Sequence, residues 1–143
     1  MSDVLLERLK GKPVVVIANI FQHSPTILLA TKDSGVSSPQ DLFGQKIMMS
    51  LGYKSAVLQA MLINEGIPVE NIKIIKPSWN LDDLISGKVT AIAAYISSQP
   101  YILEKKKIPY TVISPNTYGL DFYGDNLQMD LAAQSRSQLA LKH

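Results

Sequence analysis

The stretch GQKIMMSLGYKSAVLQAMLINEGI, residues 44–67, decides the fold. Its residues 46–50 form a short apolar run that stops just before Gly52. Apolar side chains then recur at helical spacing, at Val57, Leu58, Met61 and Leu62. Because the hydrophobic period changes from that of a strand to that of a helix, the stretch predicts a buried strand, a glycine turn and an amphipathic helix ending at Gly66.

The turn at residues 50–55 is the first candidate site. A turn between a strand and a helix directs the free backbone N–H groups of the helix start toward whatever lies above the carboxyl end of the strand. Anions are favoured at such a place. The candidate ligand-binding residues here are Ser50, Gly52, Tyr53, Lys54 and Ser55. The alternative is that Ser and Gly only cap the helix.

The composition limits the kinds of site and partner that the chain can have. The chain has 143 residues, of which 46% are hydrophobic, enough for one well-packed core. Its net charge is only +2, so no basic surface indicates nucleic acid as a partner. Cysteine is absent, which excludes thiolate metal sites and cysteine nucleophiles. No spacing of His or acidic residues indicates a metal site, and we expect no cofactor.

The N-terminal sequence MSDVLLERLKGK mixes charged residues with leucines and does not resemble a secretory signal. We therefore expect the chain, as given, to be cytoplasmic. Its apolar runs are much shorter than the roughly 18 residues that a membrane span requires. No membrane partner is expected.

Strand and helix signals alternate along the chain. Apolar and β-branched runs predict strands at 13–21, 26–31, 46–50, 71–75, 90–96 and 110–113, the first of them a buried parallel strand. Helix signals lie at residues 2–9, after Ser55, from Asn80 to Gly87 and from Ser98 to Lys106. This alternation predicts an α/β fold with a parallel-type sheet and flanking helices. Residues 128–143 are predicted to be a marginal helix or a frayed tail.

Four segments in order carry a resemblance to a known family: KGKPVVVIANIFQHSP, SPQDLFGQKIMMSLGY, GKVTAIAAYI and YGLDFYGDNL. Together they resemble the thiamine-pyrimidine-precursor group of ABC-transporter substrate-binding proteins and the related fungal pyrimidine synthases. The resemblance covers about residues 2–127. It implies the type 2 periplasmic binding fold, in which two α/β lobes close on a small molecule, and it implies periplasmic ancestry.

Mapped onto that family, the chain is expected to be truncated. The resemblance implies a partial first-lobe segment and hinge at residues 1–43, a second α/β lobe at 44–114, and a return segment with a C-terminal tail at 115–143. The elements that precede Ser2 in the family are missing, as are the final helices.

The resemblance adds further candidate ligand contacts. Gln22, His23 and Ser24 lie where similar proteins run from the first lobe into the cleft, although a polar hinge cluster is the simpler interpretation. Trp79, the single tryptophan, lies in a loop where it could stack on a heterocycle or pack against the core. Tyr95 ends a strand, as ligand-binding residues of open sheets do. Tyr123, between Asp121 and Asp125 in the return segment, is a further candidate.

One departure from the family concerns the ligand. Ser97, Ser98, Gln99 and Pro100 stand where the family typically has Asn-Glu-Pro, so a carboxylate that would grip an amino-bearing ligand is absent.

Three functional classes follow from these observations. The first is a domain that binds a small molecule, pyrimidine-like or a small anion, without catalysis. The second is an interaction module that has lost its ligand, and the third is an enzyme like the fungal synthases. The absence of cysteine speaks against the third, because the resemblance implies a cysteine-rich motif in those enzymes.

The partial first lobe also predicts a homodimer. Its strand at residues 13–21 would lack the covering layer that the family provides, and each Val or Ile side chain left in water forfeits roughly 1.5–3 kcal/mol of burial. A second copy, paired through strand edges or through the exchanged tail at 128–143, would cover it. The alternative is that the tail folds back over this strand.

Overall fold

The computed structural model describes residues 2–52, 55–78, 80–124 and 126–131. They belong to two compact units. One, here called the terminal unit, consists of the described residues of Met1–Ser24 and Phe122–His143. The other, here called the sheet unit, is Pro25–Asp121.

The described elements follow the alternation that the sequence predicts. The helices are α1 (Ser2–Leu9), α2 (Ala56–Asn64), α3 (Asp82–Ile85) and α4 (Gln99–Lys105). The strands are β1 (Val14–Asn19), β2 (Thr26–Thr31), β3 (Lys46–Met48), β4 (Lys73–Ile75), β5 (Ala91–Tyr95), β6 (Tyr110–Ile113) and β7 (Asn126–Asp130). Short 3-10 turns, such as Pro39–Leu42 and Val69–Asn71, connect them.

The sheet unit contains a five-stranded sheet with the strand order β4-β3-β5-β2-β6. β3 pairs in parallel with β4 on one side and with β5 on the other. β2, however, is antiparallel to both β5 and β6. The predicted α/β fold is confirmed, with the correction that the sheet is mixed rather than parallel throughout. Apolar content alone could not reveal this, since a strand buried on both faces has the same composition in either orientation.

The core lies on both faces of this sheet. Neighbouring side chains of β2 point to opposite faces, so Leu28 and Ala30 pack with α2, whereas Ile27 and Leu29 pack with α3 and α4. Leu58, Met61 and Leu62 of α2 are fully buried on the first face. On the second face, Leu84 and Leu103 are buried. Helices therefore cover both sides of the sheet, as the continuous apolar runs of its strands require.

The end of α2 shows how residues 44–67 terminate their helix. Gly66 adopts φ +80°, a left-handed conformation that glycine tolerates best. The N–H of Gly66 donates to Ile63 O at 3.0 Å, and the N–H of Ile67 donates to Leu62 O at 2.8 Å. These two bonds form a Schellman motif, which satisfies the last carbonyls of the helix and buries Ile67.

The terminal unit contains a two-stranded sheet in which β1 pairs antiparallel with β7. The register shifts between Val16 and Ala18. The prediction of a buried parallel strand at residues 13–21 is wrong, because its partner is antiparallel and Ile17 and Ile20 are 56% and 67% exposed. Residues 128–130 of the predicted helix or frayed tail form part of β7 instead. Residues 132–143 lie outside the described part of the chain.

The two compact units divide the chain at a different place from the predicted boundary at residue 44. Residues 25–43 belong to the sheet unit because β2 is hydrogen-bonded between β5 and β6. The 3-10 turn at Pro115–Tyr118 also belongs to it, since Tyr118 packs against the core on the α2 side.

No helix within the described ranges has both the length and the apolar character needed to cross a bilayer.

Two adjacent residues of α2 test this account of the core. Leu62 is fully buried, whereas Ile63 is 61% exposed. Leu62→Ala should lower the free energy of unfolding by about 2–5 kcal/mol, because it removes buried surface and leaves a cavity. Ile63→Ala should change it by less than about 1 kcal/mol. Urea unfolding followed by circular dichroism measures both, and equal effects would contradict the assigned helix face.

Candidate functional site

A cavity lies in the sheet unit, beyond the carboxyl ends of its parallel strands. Its volume is about 130 Å³, below the roughly 300–1,000 Å³ of pockets that enclose a drug-sized ligand. A cavity of this size holds a fragment-sized molecule or one face of a larger one. It is lined by Met48, Ser50, Pro77, Asn80, Leu81, Ile92, Ala93, Gln99 and Ile102.

The strand arrangement explains why these residues meet. β3, β4 and β5 are parallel, so the segments that follow them leave the sheet at the same edge. Met48 and Ser50 follow β3 in this way, Pro77 and Asn80 follow β4, and Gln99 follows β5. Open α/β sheets bind their ligands outside the carboxyl ends of strands. The cavity thus occupies the place where this architecture forms a binding site.

The lining is mainly apolar and uncharged. Six of the nine lining residues are apolar, and the other three are Ser50, Asn80 and Gln99. None of these described lining residues carries a formal charge. The arrangement suits a small molecule with an apolar face and a few hydrogen-bonding atoms at its edge.

A hydrogen-bonded network holds the loop that follows β4. The Ser78 hydroxyl donates to Asp83 Oδ2 at 2.7 Å, and Lys88 Nζ donates to Asp83 Oδ1 at 3.3 Å. Ser78 also contacts the Met48 sulfur, through its N–H at 3.4 Å and its hydroxyl at 3.6 Å. This network joins the loop to β3 and to α3, and so fixes one wall of the cavity.

Asp83 is the charged centre of that network. The Ser78 hydroxyl bond, followed by the Lys88 ammonium, holds the pKa of Asp83 below its ordinary value of 3.8. Both donors favour the ionised carboxylate, so the loop is best held when Asp83 is charged.

Hydrogen bonds join Ser50 and Gly52 to the start of α2. Ser55 is buried, and its hydroxyl donates to the Ser50 carbonyl oxygen. The amide of Gln59 donates to Gly52 O and to Ser55 Oγ, both at 2.9 Å. Ser50 lines the cavity, whereas Ser55 and Gln59 are not among its lining residues. Tyr53 and Lys54, also predicted as ligand contacts, lie outside the described residues, as does Trp79.

The remaining predicted contacts fall in both units. Gln22, His23, Ser24 and Tyr123 belong to the terminal unit. There the N–H of Gly124 donates to Phe21 O at 2.9 Å, which places the return segment beside the polar segment after β1. Tyr95 belongs to the sheet unit, at the carboxyl end of β5, and is 48% exposed. Its N–H donates to Gln99 Oε1 at 3.0 Å.

The sequence analysis did not predict most of the residues that line the cavity. Met48, Leu81, Ile92 and Ile102 fit any apolar core, and nothing in their spacing marks them as lining a site. Asn80 was recognised only as a helix cap, and Gln99 only as a departure from a family pattern. A usable signal was available for both amides, because each lies in the segment that follows a predicted strand, and open α/β sheets bind ligands beyond the carboxyl ends of their strands.

The described residues contain no group of three or more His, Asp or Glu side chains that could hold a metal ion.

The sheet and its two helical layers, with the cavity at the strand ends, have the fold of the type 2 periplasmic binding proteins. The aliphatic sulphonate-binding protein SsuA of Escherichia coli has the same fold, with a TM-score of 0.68 over 95% of this chain and 47% of that chain, at 16% sequence identity. The chain belongs to the NMT1/THI5-like family, whose model matches residues 1–137.

Curated proteins of similar sequence support this family assignment. The formylaminopyrimidine-binding protein of Halalkalibacterium halodurans is 24% identical over 130 residues, which are 86% of this chain and 38% of the relative. The 4-amino-5-hydroxymethyl-2-methylpyrimidine phosphate synthase of Legionella pneumophila is 27% identical over 85 residues, 59% of this chain and 27% of the relative. The chain thus spans well under half the length of these relatives.

The Asp83 network makes a testable prediction about pH. Because the pKa of Asp83 is lowered in the folded state, its contribution to stability is complete above the ordinary pKa of 3.8 and is lost as the pH falls through the lower folded value. Asp83→Asn should therefore reduce stability at pH 7 and flatten the loss of stability below about pH 4. Urea unfolding at a series of pH values measures this.

Asp82→Asn is the matched control. Asp82 is adjacent to Asp83, but its partner is Lys106, and both side chains are largely exposed. Exposed pairs of this kind contribute little, so Asp82→Asn should lose stability below about pH 4 as the wild type does. If Asp83→Asn also lost stability there as the wild type does, the role given to the network would be contradicted.

Proposed function

We propose that this chain supplies a wall of a binding site for a small, flat molecule of the pyrimidine class, and that it binds without catalysing a reaction. The observation that carries the proposal is the mainly apolar, uncharged cavity beyond the carboxyl ends of β3, β4 and β5. Apolar side chains would contact the faces of a ring, and the polar side chains of Ser50, Asn80 and Gln99 its edge.

The names of the two curated relatives favour a pyrimidine as the ligand, since both contain a pyrimidine, one as a binding protein and one as a synthase. The fold neighbour from Escherichia coli is named a sulphonate-binding protein, so a small anion is the second ligand class to test. Binding is favoured over synthesis because the chain has no cysteine, and the resemblance gives the fungal synthases a cysteine-rich motif.

Ligand binding can be tested by thermal shift on the full chain. Aminopyrimidines, their phosphates and small sulfonates should be screened at up to 10 mM. A ligand at a hundred times its dissociation constant stabilises the folded state by about 2.7 kcal/mol, which is several degrees for a domain of this size. If no compound raises the midpoint, the binding function is contradicted.

A pair of variants on α4 locates the site. Ile102 lines the cavity, whereas its neighbour Tyr101 does not and pairs with Lys105, whose Nζ lies 4.8 Å from the ring centre. Ile102→Gln should weaken binding about three- to tenfold, because apolar contact with the ligand is lost. Tyr101→Gln should leave affinity unchanged. Isothermal titration calorimetry with any compound that passes the screen measures both, and equal effects would place the ligand elsewhere.

We also propose that the chain forms a homodimer through the terminal unit. The specific observation is the exposure of large apolar side chains on β1 and the residues after it: Val16, Ile17, Ile20 and Phe21. An isolated two-stranded sheet is marginal in water, and within the described residues each strand of this sheet has a partner on one side only. A second copy could pair with a free edge and cover these side chains.

Light scattering coupled to size exclusion tests the dimer. The wild type at micromolar concentration should have twice the molar mass of one chain, whereas the Ile17→Lys variant should have the mass of a monomer. Ile63→Lys is the control, because Ile63 is similarly exposed, at 61% against 56%, but lies in the sheet unit. A wild-type monomer would contradict this proposal and leave the ligand proposal untouched.

A further inference from the structure

A buried hydroxyl group is hydrogen-bonded to the backbone of a residue that lines the cavity. Ser55 directly precedes α2 and is only 2% exposed. Its O–H donates to the carbonyl oxygen of Ser50, which lines the cavity, whereas Ser55 itself is not among the lining residues. A buried hydroxyl destabilises the fold unless it is hydrogen-bonded, so the folded state favours keeping this bond.

Ser50 is held by hydrogen bonds on both sides along the chain. The residue before it, Met49, is buried, and its N–H donates to Ile75 O at 3.1 Å, which ties it to the end of β4. After it, the planar peptide group that contains the Ser50 carbonyl is held by the Ser55 hydroxyl. These bonds restrict the backbone dihedral angles of Ser50, and the backbone in turn restricts the rotamers that its side chain can adopt.

Gln59 holds the Ser55 hydroxyl in its turn. Its amide nitrogen donates to Ser55 Oγ and to Gly52 O, both at 2.9 Å. Because residues four apart lie on the same side of a helix, Gln59 reaches Ser55 from one turn further along α2. The helix itself is anchored in the core by Leu58, which is fully buried. The position of Ser50 thus depends on the packing of α2 through two hydrogen bonds in series.

We propose that Ser55 is a positioning residue of the binding site, which acts by orienting Ser50 toward a molecule in the cavity and does not contact that molecule itself. The inference rests on the proposed binding function and gives Ser55 a role different from the ligand contact that the sequence predicts. Burial leaves Ser55 little surface for a ligand, and its single O–H hydrogen is used by the Ser50 carbonyl. The Ser50 hydroxyl can donate to, or accept from, the edge of a ring or a small anion.

Holding Ser50 before a ligand arrives favours binding, because less conformational freedom is then lost in the complex. Without the Ser55 hydroxyl, the Ser50 carbonyl loses this donor and the Ser50 side chain gains orientations that do not serve the ligand. Removing the Ser50 hydroxyl has the same consequence for the ligand. The two losses should therefore not add, since both act on one contact.

A double-mutant cycle tests this coupling. The probes are 4-aminopyrimidine and methanesulfonate, one for each proposed ligand class, and their binding to the full chain is measured by isothermal titration calorimetry. Ser50→Ala and Ser55→Ala should each weaken binding about three- to tenfold, which is the effect of losing one hydrogen bond. The double variant should bind no more weakly than Ser50→Ala alone. Losses that multiply in the double variant, or unchanged affinity in either single variant, would overturn the inference.

Ser34→Ala is the matched control. The Ser34 hydroxyl also donates to a backbone carbonyl, Thr31 O at 2.6 Å, but it lies at the opposite edge of the sheet because β2 is antiparallel to β5. Its affinity for both probes should equal that of the wild type. Urea unfolding of every variant without ligand measures stability separately. A hydroxyl with a purely structural role would lower stability in Ser55→Ala and leave affinity unchanged, which would contradict positioning.

Gln59→Met tests the same role if Ser55→Ala does not fold. It removes the amide donor that holds the Ser55 hydroxyl, at a residue that is not among those lining the cavity. Binding should weaken about two- to fivefold in the wild-type chain and should not weaken further in a chain that carries Ser50→Ala. Equal losses in both chains would overturn the inference while the binding function stands. If neither probe binds the wild type at up to about 10 mM, the binding function and the inference are both overturned.

Discussion

The parallel pairing of β3 with β4 and β5 is the constraint on which the site depends. Met48 lies opposite Ile75 on one side and opposite Ile92 on the other, so the three chains leave the sheet side by side. Parallel strands require crossover connections, and here α2 and α3 supply them on opposite faces of the sheet. The same crossovers that bury the sheet therefore also bring three loops to a single edge. A fully antiparallel sheet of the same residues would distribute those loops over both edges.

The burial of the sheet on both faces makes this arrangement rigid. Ile47 is fully buried toward α2, while Met48, its neighbour, is buried toward α3 and extends to the cavity. Because Met48 also contacts Ser78 through its sulfur, the position of the loop after β4 depends on the packing of β3. The polar wall of the site is thus supported by the apolar core rather than by the loops alone.

The sequence predicts the local elements well because their signals are local. The change of period within residues 44–67 and the glycine at position 66 predict β3, α2 and the end of the helix at Gly66 without reference to distant residues. The direction of β2 and the partner of β1 are not local properties. Thr26–Thr31 is buried on both faces in either orientation, and the pairing of Val14 with Asp130 joins positions at opposite ends of the chain. For the same reason the candidate site was predicted only in part. The sequence predicts Ser50 as a contact and a ligand site beyond the carboxyl ends of the strands, but the lining by Leu81 and Ile102 depends on how the helices pack.

The two amides show why a site can be misjudged when residue types are considered one at a time. The loss of a carboxylate near Gln99 implies, by itself, a weaker site for an amino-bearing ligand. The structure adds that the Gln99 oxygen is already engaged by the Tyr95 N–H and that the Asn80 oxygen is engaged in the same way by Asp82. The backbone bond thus fixes which end of each amide faces the backbone, because an N–H can pair only with the amide oxygen. The orientation of both amides is therefore set by backbone N–H groups at the end of β5 and the start of α3, and a different side chain at either position would meet the same backbone.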